Sequence, residues 1–129
     1  MKLNVKQKIL DISGKVAEDL IDLGNGKSEK RTYTYGERIT NALLNAHLLG
    51  GQRPESLSTE ENTKRFLLAI KLTRAVEDES PGVVDLPSAD QELIKKCIAL
   101  CYGPLVVRQI VAALDQKNPY TVEDEIKAE

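Results

Sequence analysis

Glu37-Arg38-Ile39-Thr40-Asn41-Ala42-Leu43-Leu44-Asn45-Ala46-His47-Leu48-Leu49 is the stretch that decides the fold. Ile39, Ala42, Leu43, Ala46 and Leu49 recur at i, i+3, i+4 and i+7 spacing, which aligns them as one apolar stripe on a helix. The spacing predicts an amphipathic helix over 37–49. Gly50-Gly51 stops it, and Pro54 keeps it from resuming early. A helix with one apolar stripe needs other elements to cover that stripe, and the flanking sequence supplies them.

Downstream, Ser58-Thr59-Glu60-Glu61 has the pattern of a capping box, in which Ser caps an amide and Glu reaches back. The helix it opens runs through Phe66, Leu67, Ile70, Leu72 and Val76, and Pro81-Gly82 closes it. Ser88-Ala89-Asp90-Gln91, preceded by Pro87, reads as a second capping box. Its helix carries Leu93, Ile94, Cys97, Ile98 and Cys101 on one broad face. Gly103 interrupts, and Pro104 is suited to the first position of another helix, where its missing amide costs nothing. That helix, over 104–116, holds Leu105, Val106, Val107, Ile110, Val111 and Leu114, and being apolar nearly all round it is expected to be the most buried element.

Upstream the pattern is less regular. Ile9-Leu10-Asp11-Ile12, Ser13-Gly14 and Lys15-Val16 read as strand, tight turn and strand. Val16 to Leu23 extends that second strand or forms a helical turn, and periodicity does not decide between them. Gly24 to Arg31 reads as a polar loop, and Thr32-Tyr33-Thr34-Tyr35 as a short strand. The expected fold is mainly α, with α+β character at its edge: a compact bundle of four or more helices and a small N-terminal β-hairpin. The 129 residues suit one domain over 1–118, with a hairpin region at 3–35, a helical region at 37–118 and an acidic tail at 119–129.

Composition narrows the function classes. Hydrophobic residues at 41% and charged residues at 29% are those of a globular chain, and Phe66 with four tyrosines leaves a mostly aliphatic core. A formal net charge of -2 gives no overall attraction to nucleic acid or to an anionic membrane. No segment approaches the roughly 18 apolar residues needed to span a bilayer. Only Ile9-Leu10 follows the basic N-terminus before Asp11, which is no signal-peptide core, so a cytoplasmic location is expected. Cys97 and Cys101, four apart on a helix, read as two buried thiols in a reducing compartment.

Chemical motifs fail one by one. Gly24-Asn25-Gly26-Lys27-Ser28 ends like a phosphate-binding P-loop, but Ile21 stands where the first glycine is needed, so a hairpin or surface loop is the better reading. His47 is the only histidine, so neither a metal site with Cys97 and Cys101 nor a nucleophile–base pair is built up, and no cofactor is expected. The helix after Gly103 offers only Arg108 and Gln109 as polar groups near its start, a poor recognition helix. Lys64, Lys71 and Arg74 fall within a sector of about 80° at about 100° per residue. They, or the basic cluster of Lys27, Lys30, Arg31 and Arg38 that Glu29 and Glu37 interrupt, are the candidate surface for a nucleic-acid-binding regulator, the alternative reading. Glu60 and Asp78 at i, i+4 distances neutralise that stripe and point to a solvated, salt-bridged face.

Val84-Asp85-Leu86, Glu92 to Lys96, Tyr102 to Ile110 and Leu114-Asp115 form a series, and Ile9, Asp11, Gly14, Tyr35-Gly36-Glu37 and Asn41 to Leu44 are compatible with it. Over about residues 9–116 the chain resembles small proteins encoded by tailed phages and prophages, mostly uncharacterised. The resemblance implies a non-enzymatic protein in the host-cell cytoplasm that modulates a host protein or assists virion assembly. Its partner would be a larger host or virion protein, and self-association stays open. The expected contact surface is Tyr33, Tyr35, Lys30 and Arg31, because aromatics and arginine anchor interfaces.

Overall fold

The computed structural model describes residues 2–49, 58–77 and 82–120. Across them the elements run β1 (Lys2–Asn4), β2 (Asp19–Gly24), β3 (Lys27–Arg31), α1 (Tyr35–Leu49), α2 (Thr59–Glu77), β4 (Val83–Asp85), α3 (Ser88–Cys101) and α4 (Pro104–Leu114). The fold is mixed α+β: the described residues hold four helices and two separate two-stranded antiparallel sheets.

The 37–49 stretch forms α1, which starts two residues early. Thr34 and Glu37 form a reciprocal capping box: Glu37 N donates to Thr34 Oγ1 at 3.1 Å, and Thr34 N donates to Glu37 Oε1 at 3.0 Å. The short strand expected at Thr32–Tyr35 is therefore reduced to one bridge, Lys8 to Thr34, because the cap draws Tyr35 into the helix. Gly36 is required by close packing. A Cβ there would overlap Val76 Cγ2 and come within 2.9 Å of Val5 Cβ.

α1 is the central element, packed against both α2 and α3 with Ile39, Ala42, Leu43 and Ala46 buried. This corrects the expectation for α4. On α4 only Gln109, Ile110, Ala112 and Leu114 are buried, and Leu105 is 41% exposed. α4 packs at the edge, against α3 and β1, with Val106, Val111 and Ala113 only partly covered against the core and Leu105 open. On α2 the inward face is Arg65, Leu68, Ala69 and Leu72, whereas Phe66 is 57% exposed.

The caps divide. Ser58 Oγ accepts from Glu61 N at 3.0 Å, which is half of the first capping box; the Glu61 carboxylate does not complete it and accepts from Lys96 Nζ. The second box is not formed: Pro87 is the N-cap of α3, no side chain caps it, and Gln91 Nε2 donates to Leu86 O instead. Pro104 does open α4.

Two strand pairings depart from the expectation. β1 pairs with β4 in the register Leu3 to Val84, both buried, a connection with no local signal. The hairpin expected at 9–16 is one bridge, Leu10 to Val16, around a turn whose amides and hydroxyl donate to Asp11 Oδ1. The longer hairpin is β2–β3, so of the two readings of Gly24 to Ser28 the hairpin holds, and the polar loop expected through Arg31 is a turn followed by a strand. Asn25 and Gly26 both take positive φ, 54° and 73°, the signature of a two-residue hairpin turn. At the far end, Pro119 O accepts from Arg108 Nε and Tyr120 Oη donates to Asp11 O. The start of the expected tail is thus held to the domain, and its remainder, 121–129, lies outside the described residues.

Candidate interaction surface

The β2–β3 hairpin aligns Asp19 with Arg31, Leu20 with Lys30, Ile21 with Glu29 and Asp22 with Ser28, then shifts register before Gly24 and Lys27. Every side chain of β3 is exposed, and on β2 only Ile21 is half-buried. Leu20 is 69% exposed and Leu23 57%. Ile12 and Val16, in the segment leading to β2, are exposed as well. A two-stranded hairpin has little stability of its own in water, so this one depends on how its foot is held.

The foot is held firmly. Arg38 of α1 pairs with Asp19 Oδ2 at 3.0 Å. Its guanidinium lies 3.9 Å from the Tyr33 ring centre and 5.4 Å from that of Tyr102, a cation between two aromatic faces. Tyr102 Oη donates to Arg38 O at 2.7 Å and accepts from Asn41 Nδ2 at 2.9 Å. Burial pushes the Tyr102 hydroxyl above its ordinary range, against the bond from Asn41 and the charge of Arg38. Beside this cluster, Lys8 Nζ donates to Thr32 Oγ1 and Ile9 N to Tyr33 O, while Tyr35 N donates to Gln7 O.

Of the four residues singled out from sequence, Lys30 and Arg31 lie exposed on β3, where they pair with Glu18 at 3.8 Å and Glu29 at 3.4 Å. Tyr33 is half-buried at the hairpin's foot. Tyr35 is separated from them: only 6% exposed, it joins the core, and burial raises its hydroxyl. Leu20, Leu23 and the anchoring Asp19 were missed, and Asn25-Gly26 was the signal that could have found them.

The Lys64, Lys71 and Arg74 stripe is largely engaged. Lys64 pairs with Glu60 at 3.2 Å, and Lys71 Nζ donates to Asp85 O at 2.8 Å. Asp78, the expected companion of Arg74, lies outside the described residues. On α4, Gln109 is buried and Arg108 holds Pro119, so neither is presented to a groove of nucleic acid.

A groove of about 530 Å³ opens where α2 and α3 converge, lined among others by Ser58, Glu61, Lys64, Leu93 and Lys96. Lys96 Nζ donates to Glu61 at 2.7 Å, and this bond holds the Glu61 carboxyl below its usual range. Behind Glu61 sits Arg65, its side chain 3% exposed and 3.6 Å from Glu61 Oε1; among the described residues no guanidinium nitrogen has a hydrogen-bond acceptor. Cys97 and Cys101 are free thiols, one buried and one half-buried; burial raises both, with Arg65 opposing it.

Among the described residues no three His, Cys, Asp or Glu side chains converge on a possible metal position; the side chain of His47 lies outside them. No described helix is long and apolar enough to cross a membrane. Comparison with protein-family models, with curated proteins and with solved structures finds no match for this chain.

Proposed function

We propose that this chain is a small non-enzymatic interaction protein that docks its β2–β3 hairpin onto a larger protein. The reading carries over the resemblance to small phage proteins: the larger protein belongs to the host or the virion, and the chain works in the host cytoplasm. It modulates that host protein or assists virion assembly, with the helices as a compact bundle that carries the hairpin. The observation behind it is the pair Leu20 and Leu23, large apolar side chains exposed on a strand whose foot is tied to α1 by the Asp19–Arg38 ion pair. Apolar groups left in water on a fixed scaffold contribute binding energy when a partner covers them, with little ordering cost.

The test is capture of a partner from a lysate of the producing cells by the immobilised chain. A Leu20→Asn/Leu23→Asn variant with an unchanged circular dichroism spectrum should lose the captured protein. Capture at full strength by that variant contradicts the hairpin as the docking element.

A further inference from the structure

The two edges of the hairpin differ in charge and in polarity. β2 and the residue before it bring Glu18, Asp19 and Asp22, together with all of the hairpin's apolar side chains, Leu20, Ile21 and Leu23. β3 is Lys27-Ser28-Glu29-Lys30-Arg31, basic and without an apolar residue. Among the described residues neither strand has a second neighbour, so each presents an unpaired edge able to template another strand.

Charge decides which strand can be added. Centred on its own middle, a β3 edge against another β3 sets Lys27 against Arg31 and Glu29 against Glu29. A β2 edge against another β2, centred on the stretch before its register shift, sets Asp19 against Asp22; like charges across a ladder are destabilising. The β3 edge of one copy against the β2 edge of another sets a net basic strand beside a net acidic one in the register the hairpin already uses. Arg31 then faces Asp19, the aliphatic stem of Lys30 lies over Leu20, Ser28 faces Asp22, and Glu29 meets Ile21. The charges are available for this. The Lys30–Glu18 and Arg31–Glu29 pairs span 3.8 Å and 3.4 Å between largely exposed side chains, contacts that exchange readily with solvent. Asp19 is shared with Arg38, so Glu18 and Asp22 carry most of the acidic edge.

We infer that the hairpin binds a second copy of this chain head to tail, β3 of one copy against β2 of the next. This rests on the hairpin being a contact element, as in the proposed function, but names its own partner. Such a contact joins two different surfaces, so it propagates into chains or rings instead of closing as a two-fold dimer. The edge is short and exposed, which makes the association weak and sensitive to salt.

Sedimentation velocity over a concentration series, at low and at high salt, tests it on the unaltered chain. The average mass should climb with concentration past that of a dimer and fall when salt is added. Lys27→Glu/Lys30→Glu and Glu18→Lys/Asp22→Lys should each stay monomeric alone and associate when mixed. A chain that is monomeric at every concentration, a mass that levels off at a dimer, or variants that associate as before would overturn the inference. A monomer would leave docking onto another protein untouched, since lysate capture tests that separately.

Discussion

Gln109 on α4 holds Leu10 by both of its backbone groups: Leu10 N donates to Gln109 Oε1 at 2.8 Å, and Gln109 Nε2 donates to Leu10 O at 2.6 Å. One buried side-chain amide does the work of a neighbouring strand and fixes the irregular N-terminal segment to the last helix. Gln109→Leu would leave both backbone groups without partners. Unfolding in urea should show a loss of about 2–4 kcal/mol, the cost of two stranded polar groups. A loss within error of zero would mean that water replaces the amide.

Arg65 leads to the opposite expectation. Among the described residues its buried guanidinium has no hydrogen-bond acceptor, and the carboxylate beside it, Glu61, has Lys96 nearer at hand. Arg65→Met keeps the bulk, removes the buried charge and leaves Glu61 paired. The variant should be more stable by about 1–4 kcal/mol in thermal unfolding; a lower melting temperature would contradict this account of the site.

Gly36 sits where the start of α1 meets Val5 and Val76. Gly36→Ala adds a methyl group where there is no room, against backbone and side chain at once. Despite the better helix propensity of alanine, denaturant unfolding should show about 1–3 kcal/mol of destabilisation. Equal or greater stability would show that Val76 moves aside freely.

The Lys96 bond keeps Glu61 below its ordinary glutamate value of 4.5. A depressed folded-state pKa contributes stability that is complete above the unfolded value and is lost as the pH falls through the folded one. The stability difference between the unaltered chain and Lys96→Met should therefore be flat near neutrality and shrink as the pH falls below 4.5. A difference that grows with acid would contradict the pairing.

Much of the helical part was legible because helix signals are local. The period of Ile39, Ala42, Leu43 and Ala46 locates α1, and the Ser58 cap and Pro104 each mark a helix start from neighbours in sequence. What depends on tertiary context was not legible. Leu3 and Val84 pair across most of the chain, and nothing near either residue announces it. α4 has the composition of a central helix, yet composition does not say which helix the others surround. On the candidate surface, Lys30 and Arg31 fell on the hairpin, but β3 was hidden because a strand exposed on all sides need not alternate. Tyr33 and Tyr35 would share a face if 32–35 were a strand; the Thr34 cap starts α1 between them and sends Tyr35 to the core.

The central claim is that the exposed hairpin, and not the helical surface, is where this chain meets its partner. Site-specific photocrosslinking in the producing cells tests it most directly, with the reactive side chain placed at Leu20 on β2 or at Leu67, another exposed apolar position, on α2. The account predicts a discrete higher-mass adduct from position 20 and none from position 67. An adduct from position 67 with none from position 20 would contradict it.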